Sequence, residues 1–170
     1  EKKGVGVLLD SVRRLDPGWS LEVVGDGPLR ADLERRAAGL PVTFRGTVPR
    51  PEVALAYARS EVVVVPSVPA ASGDQDGLPV ALLEAMAAGC AVIGSRIPGI
   101  DAAVVDAESG LLVPPGDAQA LAAALADLLR DPDRRAKLGA AARARSEDFS
   151  VAAVGHRYCA LLREVLGRVG

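Results

Sequence analysis

EVVVVPS, residues 61–67, sets four valines in a row between a carboxylate and a proline. A strand with one wet face alternates apolar and polar residues. An unbroken β-branched run reads instead as a strand buried on both faces, the habit of parallel sheets covered by helices. Upstream, SLEVVG (20–25) and VTFRG (42–46) read as strands. Downstream, AVIGS (91–95) is a second buried strand and GLLVP (110–114) the last. Between them lie helical stretches. Val5, Leu8, Leu9, Val12 and Leu15 recur at helical spacing until Asp16-Pro17-Gly18, a helix follows the turn GDGP (25–28) to about Gly39, PEVALAYARS (51–60) forms a short helix, and another spans 79–88. Strand–helix alternation with short turns specifies an α/β fold, a Rossmann-like parallel sheet with helices on both faces. After Pro115 the chain reads as helix only. Asp117 caps one helix, Asp131-Pro132 ends it and starts the next, and Ser150 caps the last, with Phe149 placed to staple onto Val154.

Bulk properties narrow the functional classes. The chain has 170 residues, 49% hydrophobic and 25% charged, with a net charge of −2. That length forms one ordinary domain, and that charge gives no general attraction to nucleic acid or anionic membrane. Aromatics make up 3%, too few for a base-stacking platform. Two cysteines, Cys90 and Cys159, supply no disulfide framework and no metal-ligand spacing, and the single histidine, His156, excludes a histidine-rich metal site. Cys90 reads as core and His156 as surface or packing. The pairs Arg13-Arg14, Arg35-Arg36 and Arg134-Arg135 read as solvated helix faces. GDG at 25–27 is no dinucleotide fingerprint, since Arg30 holds the third glycine position. No apolar run reaches transmembrane length, there is no signal peptide, and the start at Glu1 suggests a piece of a longer protein.

Ligands in such sheets bind at the carboxyl ends of the strands, which singles out the loops 25–28, 46–51, 67–77 and 95–101. The third of these leads into DGLPVALLEAMAAG, residues 76–89. Gly77 permits close approach to the backbone. The first amides of the following helix are donors without helical partners, with the positive end of the helix dipole behind them, an arrangement that suits phosphate. Asp76 sits at the rim and Glu84 lies within the helix. If all eight steps were helical, the two acids would stand about 12 Å apart, beyond the roughly 5–9.5 Å of a glycosidase pair. The spacing suits a grip on the two ends of a long polyhydroxylated ligand with phosphate between. The plainer readings are Asp76 as a helix cap and Glu84 as a solvated side chain. Against the second, Leu82, Leu83, Ala85, Met86, Ala87 and Ala88 leave this helix almost no polar face. Lys2 and Lys3 stand at the start of the first helix, where cations oppose the dipole unless an anion sits there.

EKKGVGVLLDSVRRL (1–15), LEVVGDGPLR (21–30), VTFRGTVPRPEV (42–53), DGLPVALLEAMAAGCAVIGS (76–95), SGLLVPPGDAQALAAAL (109–125) and DPDRRAKLGAAARARSEDFS (131–150) follow one another in this order. Together they resemble the carboxyl-terminal half of the family-four (group 1) retaining glycosyltransferases of the GT-B fold, over essentially the whole chain. The resemblance implies that residues 1–170 are a single nucleotide-sugar-binding domain, with the amino-terminal acceptor domain elsewhere in the enzyme. It implies that the helix of residues 151–168, with its stripe of Val151, Val154, Tyr158, Leu161, Leu162 and Val165, contacts that other domain. By the same resemblance Lys3 meets the donor diphosphate, Asp76 the donor sugar and Glu84 the ribose hydroxyls. Backbone at Gly77, Leu78, Pro79 and Val80 binds sugar and phosphate oxygens. Main chain at Gly46, Thr47 and Val48 meets the base, and Gly25, Asp26 and Gly27 line the floor.

The implied activity is retaining transfer of a glycosyl group from a UDP- or GDP-linked sugar, without a metal or other cofactor and without a protein nucleophile. The enzyme would be cytoplasmic, or peripheral at the cytoplasmic face of a membrane, with no nucleic-acid partner, and this chain alone would be inactive. The sequence departs from the family pattern in four places. Asp76 replaces the usual Glu, DGLP stands for EGFG, RIPGID (96–101) stands for GGIPE, and the Arg that usually precedes the family's Lys would fall before Glu1. Related GT-B enzymes, such as a glycogen-synthase-like transferase or a nucleotide-sugar epimerase, and a non-catalytic nucleotide-binding module remain as alternatives.

Overall fold

A computed structural model describes residues 2–70 and 77–167. The elements run α1 (Val5–Val12), β1 (Leu21–Val24), α2 (Arg30–Arg36), β2 (Val42–Gly46), α3 (Arg50–Arg59), β3 (Val62–Val65), α4 (Val80–Ala87), β4 (Ala91–Ser95), α5 (Pro98–Ala103), β5 (Leu111–Val113), α6 (Ala118–Arg130), α7 (Pro132–Ser146), a 3₁₀ turn (Glu147–Phe149) and α8 (Val151–Gly167). The strands predicted from sequence are all present. The stretch 95–101, read as loop, contains α5, because Pro98 takes a first-turn position where its fixed φ suits a helix. α1 stops at Val12, short of the Leu15 that its periodicity suggested.

Among the described residues every strand pair is parallel, and the strands fall in two groups. β1 pairs with β2, and β3, β4 and β5 pair in that order. β4 is buried at all five positions and feeds both faces. Val92 packs with Leu82, Met86, Ile100 and Ala142 from α4, α5 and α7. Ile93, pointing the other way, packs with Leu8, Val12, Leu121, Leu125 and Leu128 from α1 and α6. The valine run behaves differently from its sequence reading. Val62, Val63 and Val64 are half-buried and only Val65 is buried, because β3 is unbonded along the edge that faces β1.

Two close backbone approaches order the carboxyl ends of the strands. Gly4, at φ +66°, lies against the loop after β3, where an added Cβ would stand 1.8 Å from the Pro66 carbonyl oxygen. Beside it the Val68 amide donates to the Lys2 carbonyl at 2.8 Å. Gly99, in the first turn of α5, abuts the entry to α4, and a Cβ there would lie 2.1 Å from the Gly77 carbonyl oxygen. At the amino end of β4, Gly139 of α7 packs on Gly89, with 2.2 Å from its would-be Cβ to the Gly89 carbonyl oxygen.

The helical tail follows the expected punctuation. Asp117 accepts from the amides of Gln119 and Ala120, Asp131 from that of Arg134, each at 2.9 Å, and Ser150 Oγ from that of Ala153 at 3.2 Å. The expected staple is altered. Phe149 packs on the core beneath α4 and α7 and carries the Arg145 guanidinium over its ring at 5.2 Å, while Val154 stays exposed. α8 buries none of its described residues, and Val151, Tyr158, Leu161, Leu162 and Val165 are all exposed. Amide exchange in residues 158–167 should therefore be much faster than in β4, which hydrogen-exchange mass spectrometry measures directly.

Gly4→Ala combines a left-handed backbone, costing an L-residue about 1–2 kcal/mol, with the Pro66 clash. Gly39→Ala at φ +80° meets open space and incurs only the backbone cost. Thermal unfolding should show Gly4→Ala as the more damaging of the two. Equal losses would mean that the Gly4–Pro66 contact is not tight in solution.

Candidate functional site

The expected loops converge on the carboxyl ends of the strands, in three linked groups. The first joins the loops after β1 and β2. Gly25, at φ +124°, donates its amide to the Gly46 carbonyl at 2.8 Å, and Gly46 is itself at φ +67°. Both angles belong to the half of conformational space that glycine enters freely. Asp26 accepts from the Gly27 amide at 2.7 Å and from Arg30 Nη1 at 3.0 Å. Those bonds, the Gly27 amide first, lower its pKa below the usual carboxylate value. Arg30 also holds Glu34 at 2.8 Å and the Phe44 carbonyl at 3.3 Å, so one guanidinium ties the 25–27 turn to β2. A Cβ at Gly25 or Gly27 would meet nothing within 4 Å, whereas one at Gly46 would strike Arg30 Nη1 at 2.6 Å. Gly25, Asp26, Gly27 and Thr47 are exposed, Val48 is half-buried and Gly46 is buried. The turn is a hydrogen-bonded floor with open space beside Gly25 and Gly27.

The second group centres on Glu84. It lies in the second turn of α4 with its side chain 36% exposed, neither buried nor fully solvated. Arg50 Nη2 approaches its Oε1 at 3.4 Å, and the Tyr57 hydroxyl lies 3.3 Å from its Oε2 and 3.2 Å from the Ala81 carbonyl. Arg50 and Tyr57 are seven residues apart on α3, two turns, and so share the face turned to α4. The Arg50 contact is long and its side chain is 93% exposed, so it adds at most a few tenths of a kcal/mol as an ion pair. Its importance is positional, since Arg50 directly follows Thr47, Val48 and Pro49 and carries the loop after β2 to the acid on α4. Sequence reading missed both partners. The i, i+7 spacing was visible, but nothing in the sequence says that α3 lies beside α4.

The third group is the entry to α4. Gly77 is exposed, Leu78 half-buried, Pro79 buried and Val80 67% exposed. Pro79 occupies the cap position in an extended conformation and has no side-chain acceptor. Of the first-turn amides, that of Leu82 donates to the Pro79 carbonyl at 3.0 Å, and Pro79 itself offers no side-chain cap to the rest. A Cβ on Gly77 would meet nothing within 4 Å, so the face opposite Gly99 is open. Lys3 is exposed beside Gly4, on the segment strapped to residues 66–68 that precedes this entry. The site residues assigned by resemblance thus gather at one end of the strands, with the exception of Asp76, which falls outside the described residues. Arg96, in the stretch that departs from the family pattern, pairs with Asp106 and, at 3.5 Å, with Asp101. It braces the loop after β4 against the start of β5, where Asp106 also accepts from the Leu112 amide at 2.9 Å.

A parallel sheet with the mouth of α4, two glycine turns and an acid gathered at the carboxyl ends of its strands has the layout of the doubly wound class. Comparison with known proteins gives the family. The model of the glycosyl transferases group 1 matches residues 1–131, and the chain belongs to that family. Its architecture is that of the carboxyl-terminal half of the GT-B fold. It is 34% identical, over 97% of its length, to a putative colanic acid biosynthesis glycosyltransferase of Salmonella typhimurium, covering 43% of that protein. Sucrose-phosphate synthase from Thermosynechococcus elongatus superposes with a TM-score of 0.81 at 30% identity, over 98% of this chain and 43% of that one. Anabaena HepE in complex with UDP and glucose superposes with a TM-score of 0.84 at 22% identity, over 96% of this chain and 45% of that one. The chain spans less than half the length of curated relatives it matches over nearly its whole length.

The Tyr57 hydroxyl gives this geometry a pH signature. Burial first, and the neighbouring Glu84 charge second, push its pKa up to about 12. An unfolded tyrosine ionises near 10. The folded form therefore keeps a proton that the unfolded form loses, and stability falls as pH rises from about 10 through 12. Ultraviolet titration should show one tyrosine ionising near 12, and Tyr57→Phe should abolish that step.

Proposed function

We propose that this chain is the donor-binding half of a retaining glycosyltransferase that transfers a sugar from a nucleoside diphosphate to an acceptor held by another part of the enzyme. The observation that carries the reading is the link from Gly25 and Gly46, through Thr47 to Arg50, to Glu84 and the mouth of α4. In this reading it is the wall along which a base, a ribose and a diphosphate lie in series. The base lies along Gly46, Thr47 and Val48, above the floor of Gly25, Asp26 and Gly27. Glu84 accepts hydrogen bonds from the ribose hydroxyls. Amides of Gly77, Leu78, Pro79's successor Val80 and the Lys3 ammonium take the diphosphate, with the helix dipole adding to the positive potential. Asp76 faces the sugar. The UDP and glucose held by the Anabaena relative support a nucleotide-sugar donor.

In this reading the protein's main chemical contribution is electrostatic. As the sugar–phosphate bond breaks, negative charge grows on the leaving diphosphate, where fixed amides and Lys3 already point. No side chain attacks the sugar and no metal is required, so binding persists in chelator. The exposed stripe of α8 packs on the acceptor half, and the enzyme works in the cytoplasm or at the cytoplasmic face of a membrane. No described helix is long and apolar enough to cross a membrane.

Calorimetry with UDP, GDP, ADP and TDP in chelator should find weak binding of at least one by this chain, and no sugar transfer without the remainder of the enzyme. Glu84→Gln should weaken nucleoside diphosphate and nucleotide sugar alike, by about 1.5–3 kcal/mol, or roughly tenfold or more. Asp76→Asn should leave diphosphate affinity nearly unchanged and lower turnover in the full-length enzyme, because a misplaced sugar loses alignment at the reacting carbon. Equal effects of the two changes on diphosphate affinity would overturn the division between ribose and sugar.

A further inference from the structure

The two oxygens of Glu84 are held unequally, and the difference comes from α3. Tyr57 stands in the last turn of that helix, half-buried and packed against the core cluster that contains Leu82 and Met86 of α4. Its main chain is fixed from two sides, because its carbonyl accepts from the Ser60 amide at 3.0 Å and from the Cys90 thiol, just ahead of β4, at 3.3 Å. From that base the phenol reaches α4. Its hydroxyl lies 3.2 Å from the Ala81 carbonyl and 3.3 Å from Glu84 Oε2, two acceptors one helical turn apart. Both distances exceed the about 2.7–2.8 Å of an undivided hydroxyl bond, as expected of one proton shared between two acceptors. The carboxylate carries the charge and is the stronger acceptor of the two. Burial first and the Glu84 charge second push the phenol pKa up to about 12, so at neutral pH the hydroxyl always has its proton to donate. Oε1 is held differently. It faces Arg50 Nη2 at 3.4 Å, from a side chain 93% exposed and free to swing in solvent. The acid thus has one anchored oxygen and one that a ligand can claim.

We propose, on the reading of Glu84 as the ribose acceptor, that Tyr57 is a positioning residue for ribose recognition: its hydroxyl fixes the Glu84 carboxylate in the rotamer that presents Oε1, and the remaining lone pair of Oε2, to the two ribose hydroxyls. A glutamate side chain has three staggered wells at each of its first two torsions. A ligand that needs one of those rotamers binds more weakly in proportion to the time the acid spends in the others. The residues one turn away on α4, Val80, Ala81, Ala87 and Ala88, carry no polar side chain that could choose among them. The choice therefore falls to α3. Tyrosine suits the task, since its ring turns on two torsions only and here packs on the core, so its hydroxyl stands in one place. An exposed arginine follows the acid instead of directing it. The carboxylate has acceptor sites enough for the phenol and a ribose together. Tyr57 acts on the ligand through Glu84, and its removal weakens recognition of the ribose hydroxyls without touching the base or the diphosphate.

The test uses the 170-residue chain with UDP, GDP and their 2′,3′-dideoxy forms, which lack both ribose hydroxyls. Calorimetry gives, for each base, the ratio of the dideoxy to the ribose dissociation constant. It is measured for the unaltered chain, Tyr57→Phe, Glu84→Gln and the double variant. A general loss of folding or of phosphate binding moves both constants together and cancels in the ratio. The unaltered chain should prefer the ribose form of at least one base by roughly tenfold or more. Tyr57→Phe keeps the ring and its packing, and should cut that preference by roughly three- to tenfold while leaving the dideoxy affinity unchanged. In the Glu84→Gln background Tyr57→Phe should have no further effect, because the hydroxyl acts through the acid. Full preference in Tyr57→Phe, with the preference lost in Glu84→Gln, overturns the inference and leaves Glu84 as the ribose acceptor. A fall that persists in the Glu84→Gln background, or equal losses for ribose and dideoxy forms, makes Tyr57 a structural residue and overturns it too. No preference for ribose in the unaltered chain overturns the role of Glu84, and the inference with it.

Discussion

Close backbone contact at the carboxyl ends of the strands is the constraint on which the rest of this molecule depends. Gly4 against Pro66 and Gly99 against Gly77 are approaches at which any Cβ would collide with a carbonyl oxygen. Each brings the start of a helix onto a neighbouring loop with no side chain in between. The first places Lys3 beside the segment that leads to α4, and the second fixes the entry to α4 against α5. Parallel strands guarantee that these loops lie at the same end of the sheet. The glycines bring the loops within ligand reach of one another.

The polar architecture around that end is correspondingly economical. Arg30 organises the floor by bonding Asp26, Glu34 and the Phe44 carbonyl at once. Tyr57 and Arg50 hold Glu84 at the junction of α3 and α4. Arg96 ties the loop after β4 to Asp106 at the approach to β5. Most of these groups are partly exposed, so their ion pairs contribute little to stability individually. Their effect is to limit where the loops can be, which matters more for a binding cleft than for the core. Stability comes from β4, buried at all five positions between two apolar layers.

Much of this was legible in the sequence because it is written in local signals. The strands followed from β-branched runs, and the helix starts at Asp117, Asp131 and Ser150 followed from capping chemistry. Other expectations changed in the folded chain. The four valines of β3 promised burial on both faces, yet Val62, Val63 and Val64 are half-buried because the edge toward β1 carries no described strand. α5 was read as loop because six residues are too few to show a helical period. Phe149 stands where a staple onto Val154 is expected and instead packs on the core beneath α4 and α7, where more apolar surface covers it.

The sequence by itself determined the class of fold, the end of the strands at which its glycine turns and helix mouth gather, and the chemical types at hand: a glycine floor, a helix mouth, an acid within an apolar helix and lysines at a helix start. Each is a property of neighbouring residues, set by backbone freedom, hydrogen-bonding inventory and periodicity. Only the tertiary structure decided which helices lie side by side, and hence that Tyr57 and Arg50 meet Glu84. Those outcomes depend on packing between segments tens of residues apart, where a contact is fixed by the shape of the whole core rather than by any pattern within either segment.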